Sequence, residues 1–311
     1  RIRDFSSPRR LRSGMRIMMR LSFSTLGCPE WSFEQIIKNA HEMGYEAVEL
    51  RGVGNQLRME ELECMRPENR SALKCLLEKN QIKLCGAGTS VQFHDAEKYE
   101  EALEEGRLAL QLCTELGIPF IRVFGNTFPE GEPKEAVMRR VEEGIASLCD
   151  YASSLRPSDP VQVLLEIHGD FNSLPVLNQL CEALKNEPGF GLIWDVYHSW
   201  LWHGENFLPF YEALRSRIRH VHLKDCALED GKPKLCLPGE GVLPLKEMIK
   251  QLQADGYTGF YSFEWEKRWH PELPEPERAL PWYVDFMGAL EEKTFPISGK
   301  RQSRSARLRE R

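Results

Sequence analysis

QADGYTGFYSFEW, residues 253–265, reads as the end of a helix, a glycine stop at Gly256, a short loop and then a buried strand that reaches an acid at Glu264. The same grammar recurs in HEMGYEAVEL, residues 41–50, and in TELGIPFIRVF, residues 114–124. Glycine just past a last helical turn is a preferred stop. A short continuous apolar run after it suits a strand buried on both faces, as in a parallel sheet. Working outward, the strand candidates are 19–24, 47–50, 83–86, 120–124, 161–167, 191–195, 220–224 and 259–264. Helix candidates lie between them at 33–43, 95–116, 133–154, 172–185, 245–254 and 276–290, the last interrupted by Pro281. Ser32 is a good N-cap for the first, and Gly117 with Pro119 ends the second. Eight such units predict an α/β fold, the closed (β/α)8 TIM barrel. An open doubly wound sheet is the alternative. Its glycine-rich fingerprint is missing, because the first strand runs into STLGCPEWS, residues 24–32.

The chain has 311 residues and is 41% hydrophobic, enough for one large core. Both ends are basic: seven arginines against Asp4 in residues 1–20, and seven lysines or arginines against Glu310 in 293–311. We expect residues 1–18 and 293–311 to be disordered tails flanking a single barrel domain at 19–292. An Arg- and Ser-rich transit peptide is the other reading of the first tail. The net charge is −6, so the body is acidic and ill suited to a nucleic-acid backbone. No apolar run resembles a signal or a membrane span, and the nine cysteines are scattered with no CxxC. The expectation is a cytoplasmic protein with reduced thiols, bound to neither nucleic acid nor membrane.

Active sites of such barrels sit at the C-terminal strand ends. The fifth strand ends VLLEIHGD, with Glu166 and His168; the sixth LIWDVYHSW, with Asp195 and His198. The seventh ends HVHLKD, with His222, Lys224 and Asp225; the eighth YSFEWE, with Glu264 and Glu266. A lone acid at a strand end usually caps a helix, and a lone strand histidine is usually a core residue. Four at matching ends of neighbouring strands point instead to one divalent cation held by Glu166, Asp195, His222 and Glu264. Three carboxylates and an imidazole make a hard site that suits Mn²⁺ first, with Mg²⁺, Co²⁺ or Zn²⁺ as alternatives.

These motifs resemble the sugar phosphate isomerase/epimerase superfamily with the xylose isomerase-like barrel, of the ketose epimerase and inosose isomerase or dehydratase type. The resemblance runs from about Arg20 to Leu290. It implies metal ligation by Glu166, Asp195, His222 and Glu264, an Asp-x-x-His element at Asp195 and His198, an HxKD element at His222, Lys224 and Asp225, and a G-x-G turn at Gly239 and Gly241. Two departures bear on substrate. Ketohexose 3-epimerases carry a second Glu where this chain has Asn172, and an Arg where it has Leu228. The superfamily also includes endonuclease IV, whose extra ligands precede the G-x-G turn. Here that stretch reads Lys234-Leu235-Cys236-Leu237, and DNA repair is set aside.

The expected reaction is isomerisation or epimerisation of a keto-sugar or inosose through a metal-stabilised enediolate, with Glu166 and Glu264 as base and acid. His168 is a further acid/base candidate, His198 a hydroxyl ligand, and Lys224 a charge neutraliser or oxygen ligand. Trp31, Arg51, His94, Asn126, His198, Trp200, Glu240 and Arg268 are candidates for the substrate wall. A dehydratase or β-eliminase acting on keto-sugars or 3-keto-glycosides would use the same intermediate. A non-catalytic sugar-binding or partner subunit is the alternative of a different class. The expected partner is a small carbohydrate, and the chain is open to homo-oligomerisation.

Overall fold

The computed structural model describes residues 19–294. Strands β1 (Arg20–Ser24), β2 (Ala47–Leu50), β3 (Lys83–Gln92), β4 (Phe120–Phe124), β5 (Gln162–Glu166), β6 (Phe190–Asp195), β7 (Ile218–Leu223) and β10 (Phe260–Phe263) close into a parallel barrel. Its order around the circle is β1-β10-β7-β6-β5-β4-β3-β2. Helices α1 (Phe33–Met43), α2 (Arg70–Asn80), α3 (Tyr99–Leu116), α4 (Lys134–Leu155), α5 (Leu174–Ala183), α6 (Val196–His203), α7 (Leu208–Leu214), α8 (Leu245–Ala254) and α9 (Pro276–Thr294) accompany it among the described residues, with a two-stranded hairpin of β8 (Asp225–Glu229) and β9 (Lys232–Cys236). The (β/α)8 expectation holds. The readings placed on 1–18 and 295–311 lie outside the described residues.

Local chemistry explains the elements that were anticipated. Ser32 and Gln35 form a reciprocal capping box at the start of α1, which satisfies two otherwise orphan N–H groups. Phe33, Ile36, Ile37 and Ala40 then fall on one stripe and are buried. Along the strands, residues such as Val163, Leu165, Leu192 and Val221 are fully enclosed, as a doubly covered sheet requires.

Several features differ from expectation, and helices α2, α6 and α7 lie outside the six helix candidates. The third strand continues to Gln92 rather than ending at Gly86. Its glycines make room instead of breaking it: a Cβ on Gly88 would lie 2.7 Å from Arg51 Cδ and 3.2 Å from Arg122 Nη2. The last helix passes through Pro281 without interruption and reaches Thr294, two residues beyond the expected end of the domain. A proline inside a helix costs about 3 kcal/mol; the burial of Ala279, Leu280, Tyr283 and Met287 outweighs it. The hairpin was not anticipated. Its turn is Asp230-Gly231, both with positive φ (50° and 74°), the backbone of a two-residue hairpin loop.

No helix among the described residues is long and apolar enough to cross a membrane. None of the nine cysteines is in a disulfide.

Candidate metal centre

Strand register levels the four candidate ligands. Asp195 pairs with His222 across β6 and β7, while Glu166 ends β5. Glu264 follows β10, its N–H donating to the Leu223 carbonyl at 3.1 Å. The side chains meet at His222 Nδ1, which lies 3.4 Å from Glu264 Oε1, 3.7 Å from Glu166 Oε2 and 4.0 Å from Asp195 Oδ2. One donor atom from each of the four falls within a 4.8 Å cluster, and all four residues are buried.

Asp195 divides its oxygens. Oδ1 caps α6 by accepting from the Tyr197 and His198 N–H groups, each at 2.9 Å. Oδ2 faces the cluster and stands 2.9 Å from Lys224 Nζ without hydrogen-bond alignment. His222 is similarly divided: Nε2 is held by Glu49 at 2.9 Å, and Nδ1 has no hydrogen-bond partner. Two buried donor atoms without partners, set among carboxylates, are what a cation site requires. The set of three carboxylates and one imidazole fits a hard divalent ion.

Cations of the chain surround the cluster. Arg122 Nη1 donates to Glu166 Oε2 at 2.8 Å and lies 3.8 Å from Glu264 Oε1. Lys224 binds Glu264 and, at 2.5 Å, Glu266 Oε1. Burial opposes charge on Glu264, but His222, Lys224 and Arg122 outweigh it and hold the carboxyl below its usual range. Burial pushes Asp195 up to about 7, with Lys224 pulling the other way. Burial also opposes charge on His222, yet Glu264 and Glu49 prevail and push it up to about 10. For Lys224, Asp195 and Glu264 likewise overcome burial and raise it well above its ordinary value.

The other anticipated residues are spread more widely. His168 and His198 stand edge to face at 4.3 Å between ring centres, and His168 also meets Phe124 at 5.4 Å. Burial, Lys224 and His168 lower His198 well below its ordinary value, so its ring is neutral. Arg51 bonds the Leu57 carbonyl and Ser90, and burial with Arg122 nearby lowers it to about 10. Asn126 (φ 63°) donates to Gln92 Oε1 at 2.6 Å. Half-buried His94 and Trp200 each keep a ring nitrogen without a partner, Nδ1 and Nε1 respectively. Trp31 is buried with its indole on Glu277 of α9 at 3.0 Å, Arg268 reaches the Gly54 carbonyl at 2.6 Å, and Glu240 is exposed. These last three make no hydrogen bond or ion pair with the four ligands among the contacts described.

Arg122, His220 and Ser262 were not anticipated. A charged residue inside the apolar run FIRVF was the available signal for Arg122, since a buried arginine needs a buried acid.

Residues 37–287 match the model of the xylose isomerase-like TIM barrel family. The chain belongs to this family. Among curated relatives it is similar to fructoselysine 3-epimerase of Escherichia coli O157:H7, 22% identical over 256 residues, covering 79% of this chain and 90% of that one. It is also similar to L-ribulose-5-phosphate 3-epimerase of Salmonella heidelberg (strain SL476), 23% identical over 78% of this chain and 86% of the relative. Solved structures that share the fold include an IolI protein with a bound zinc atom (TM-score 0.72, 19% identity, 90% of this chain and 100% of that one). Another is the 3-keto-D-glucoside 4-epimerase YcjR from E. coli (TM-score 0.65, 18% identity, 88% and 98%). At these identities the structural likenesses show the fold alone.

Proposed function

We propose that this member of the xylose isomerase-like family is a divalent-metal-dependent sugar isomerase or epimerase acting on a keto-sugar or inosose. The observation that carries the reading is the convergence of Glu166, Asp195, His222 and Glu264 from consecutive strands on one buried point. The 3-epimerase activity named for both curated relatives supports the reaction class. Mn²⁺ is the ion we propose, and Zn²⁺ is the alternative that the IolI likeness favours.

A divalent cation held by these four residues supplies Lewis acidity, stabilising negative charge as it develops on the sugar's oxygen. The chain's own groups do the rest. Glu166, oriented by Arg122, and Glu264, oriented by Lys224, form an acid/base pair: one removes the proton α to the carbonyl and the other delivers a proton. Return to the opposite face of the same carbon gives the epimer, and return to the neighbouring carbon the isomer. Neutral His198 accepts or donates to a sugar hydroxyl, and His168 beside it holds a second.

A second reading, elimination from a keto-glycoside, is favoured by the cleft of about 570 Å³ that opens beside His198 and Glu266, between the β8–β9 hairpin and residues 270–273. That volume lies in the range of sites that hold drug-sized ligands.

The test is α-proton exchange in D₂O, followed by NMR, across ketoses, inososes and 3-keto-glycosides with and without chelator. Exchange that requires metal supports the mechanism, and product analysis separates epimer, isomer and eliminated fragment. No exchange from any of these classes by the metal-loaded protein would sink it in favour of a binding subunit.

A further inference from the structure

We propose that Glu49 is a positioning residue that fixes which ring nitrogen His222 turns toward the three carboxylates. Glu49 lies on β2, which is not a neighbour of β7 in the barrel, so its side chain crosses the interior to reach β7 and β10. Its carboxylate is 2% exposed. Oε2 meets His220 Nε2 at 2.8 Å and the Ser262 hydroxyl at 2.8 Å, and Oε1 meets His222 Nε2 at 2.9 Å. Ser262 and His222 are register partners, and His220 lies two residues along the same strand, so the three donors form one ledge.

A carboxylate offers only acceptors, and a neutral imidazole has one N–H. In the neutral ring that binds a metal, with that N–H committed to Glu49 from Nε2, the lone pair of His222 is left on Nδ1, the atom that faces Glu166, Asp195 and Glu264. The opposite tautomer would set a lone pair against the carboxylate and point an N–H at the place a cation occupies. Ser262 and His220 hold Oε2 in place, and three donors on two strands thus fix the carboxylate against His222 Nε2. Glu49, His220 and His222 are themselves close enough to hold an ion. Their nitrogen–oxygen contacts of 2.8–2.9 Å are those of closed hydrogen bonds, which leave no shared open position.

The inference rests on the metal centre but not on the sugar chemistry, and its test contains no sugar. Zn²⁺ binding would be measured by chelator competition in the unaltered protein, Glu49→Gln and Ser262→Ala, with long-range ¹H–¹⁵N NMR of the Zn²⁺-loaded imidazoles. We expect one Zn²⁺ per chain, with His222 coordinated through Nδ1 and protonated at Nε2. Removing an outer partner of a metal-ligating histidine typically weakens binding by about 10- to 100-fold, the loss expected of Glu49→Gln. Ser262→Ala deletes one donor of three and is the variant to read where Glu49→Gln does not fold. It should weaken binding by a few-fold, with the His222 tautomer retained. Coordination through Nε2, a second tightly bound Zn²⁺, or no bound Zn²⁺ would each overturn the proposal. So would a Glu49→Gln protein whose thermal stability falls while its Zn²⁺ affinity does not change.

Discussion

Asp195 serves two neighbours with one carboxylate, and substitution separates the two services. Asparagine keeps a cap oxygen for the Tyr197 and His198 N–H groups and loses the charge offered to the cluster. Asp195→Asn should therefore retain α6 by circular dichroism while metal binding, read by chelator competition, weakens sharply. Glu264→Gln should reduce metal-dependent proton exchange by about 10²- to 10⁴-fold, the usual worth of a positioned acid or base. Arg122→Met leaves Glu166 buried without its cation, and breaking a buried pair from one side costs about 3–5 kcal/mol. Thermal melting of the metal-free protein checks that, and an unchanged melting temperature would contradict the pairing. The four clustered residues were legible in the sequence because they sit where strands stop, the one place where a charged residue stands out against an apolar run. Arg122 and His220 were not, because they lie below that level, where only the partner across the barrel gives the residue its purpose. Trp31 and Arg268 lie near strand ends too. The local sequence around them does not reveal that their polar atoms are taken up by Glu277 and the Gly54 carbonyl.

Among the elements, the loop after the hairpin is tied by one carboxylate. Asp225 accepts from the N–H groups of Cys226, Gly239, Gly241 and Leu243 at 2.9–3.2 Å. A Cβ on Gly241 would fall 2.1 Å from Asp225 Oδ1 and 2.4 Å from the Cys226 carbonyl, so nothing larger than glycine fits. Gly241→Ala should loosen residues 238–243, seen as faster limited proteolysis there, and Asp225→Ala should do the same. Equal proteolysis of variant and parent would refute the tie. Helix α1 was legible to the residue because cap, apolar stripe and stop agree with one another, and α8 because its apolar stripe of Leu245, Met248, Ile249 and Leu252 runs up to the turn at Gly256. β3 was cut short because glycine usually ends a strand, and here space for Arg51 and Arg122 decided instead. The hairpin went unread although Asp230-Gly231 is a strong turn signal, since the eight-unit pattern had no place for an extra strand pair.

At the scale of the whole molecule, the closed barrel concentrates charge in its interior, and stability should follow its protons. His222 and Asp195 have folded values pushed up to about 10 and about 7. For raised groups, the stabilising contribution is complete below the unfolded value and is lost as pH rises through the folded one. The metal-free protein should therefore lose stability from about pH 4 to 7 on account of Asp195 and from about pH 7 to 10 on account of His222. A divalent ion competes for the same positions, so its affinity should climb across that window and its binding should release protons. The increment in melting temperature on adding Mn²⁺ should thus be larger at pH 8 than at pH 6. An increment that shrinks as pH rises would contradict the assignment of His222 and Asp195 as ligands. Chelator should lower the melting temperature without altering the helical content of the barrel.

The cap that Asp195 places on α6 has an optical corollary. Trp194 precedes that carboxylate, packed on Tyr211 with ring centres 5.0 Å apart, and Trp200 and Trp202 ride on the helix that it begins. Trp202 is exposed and Trp200 half-buried, so their emission should respond to small shifts of the helix. Ion binding at the proposed centre should therefore change the protein's own tryptophan emission, a change that stopped flow would time without a label or a substrate.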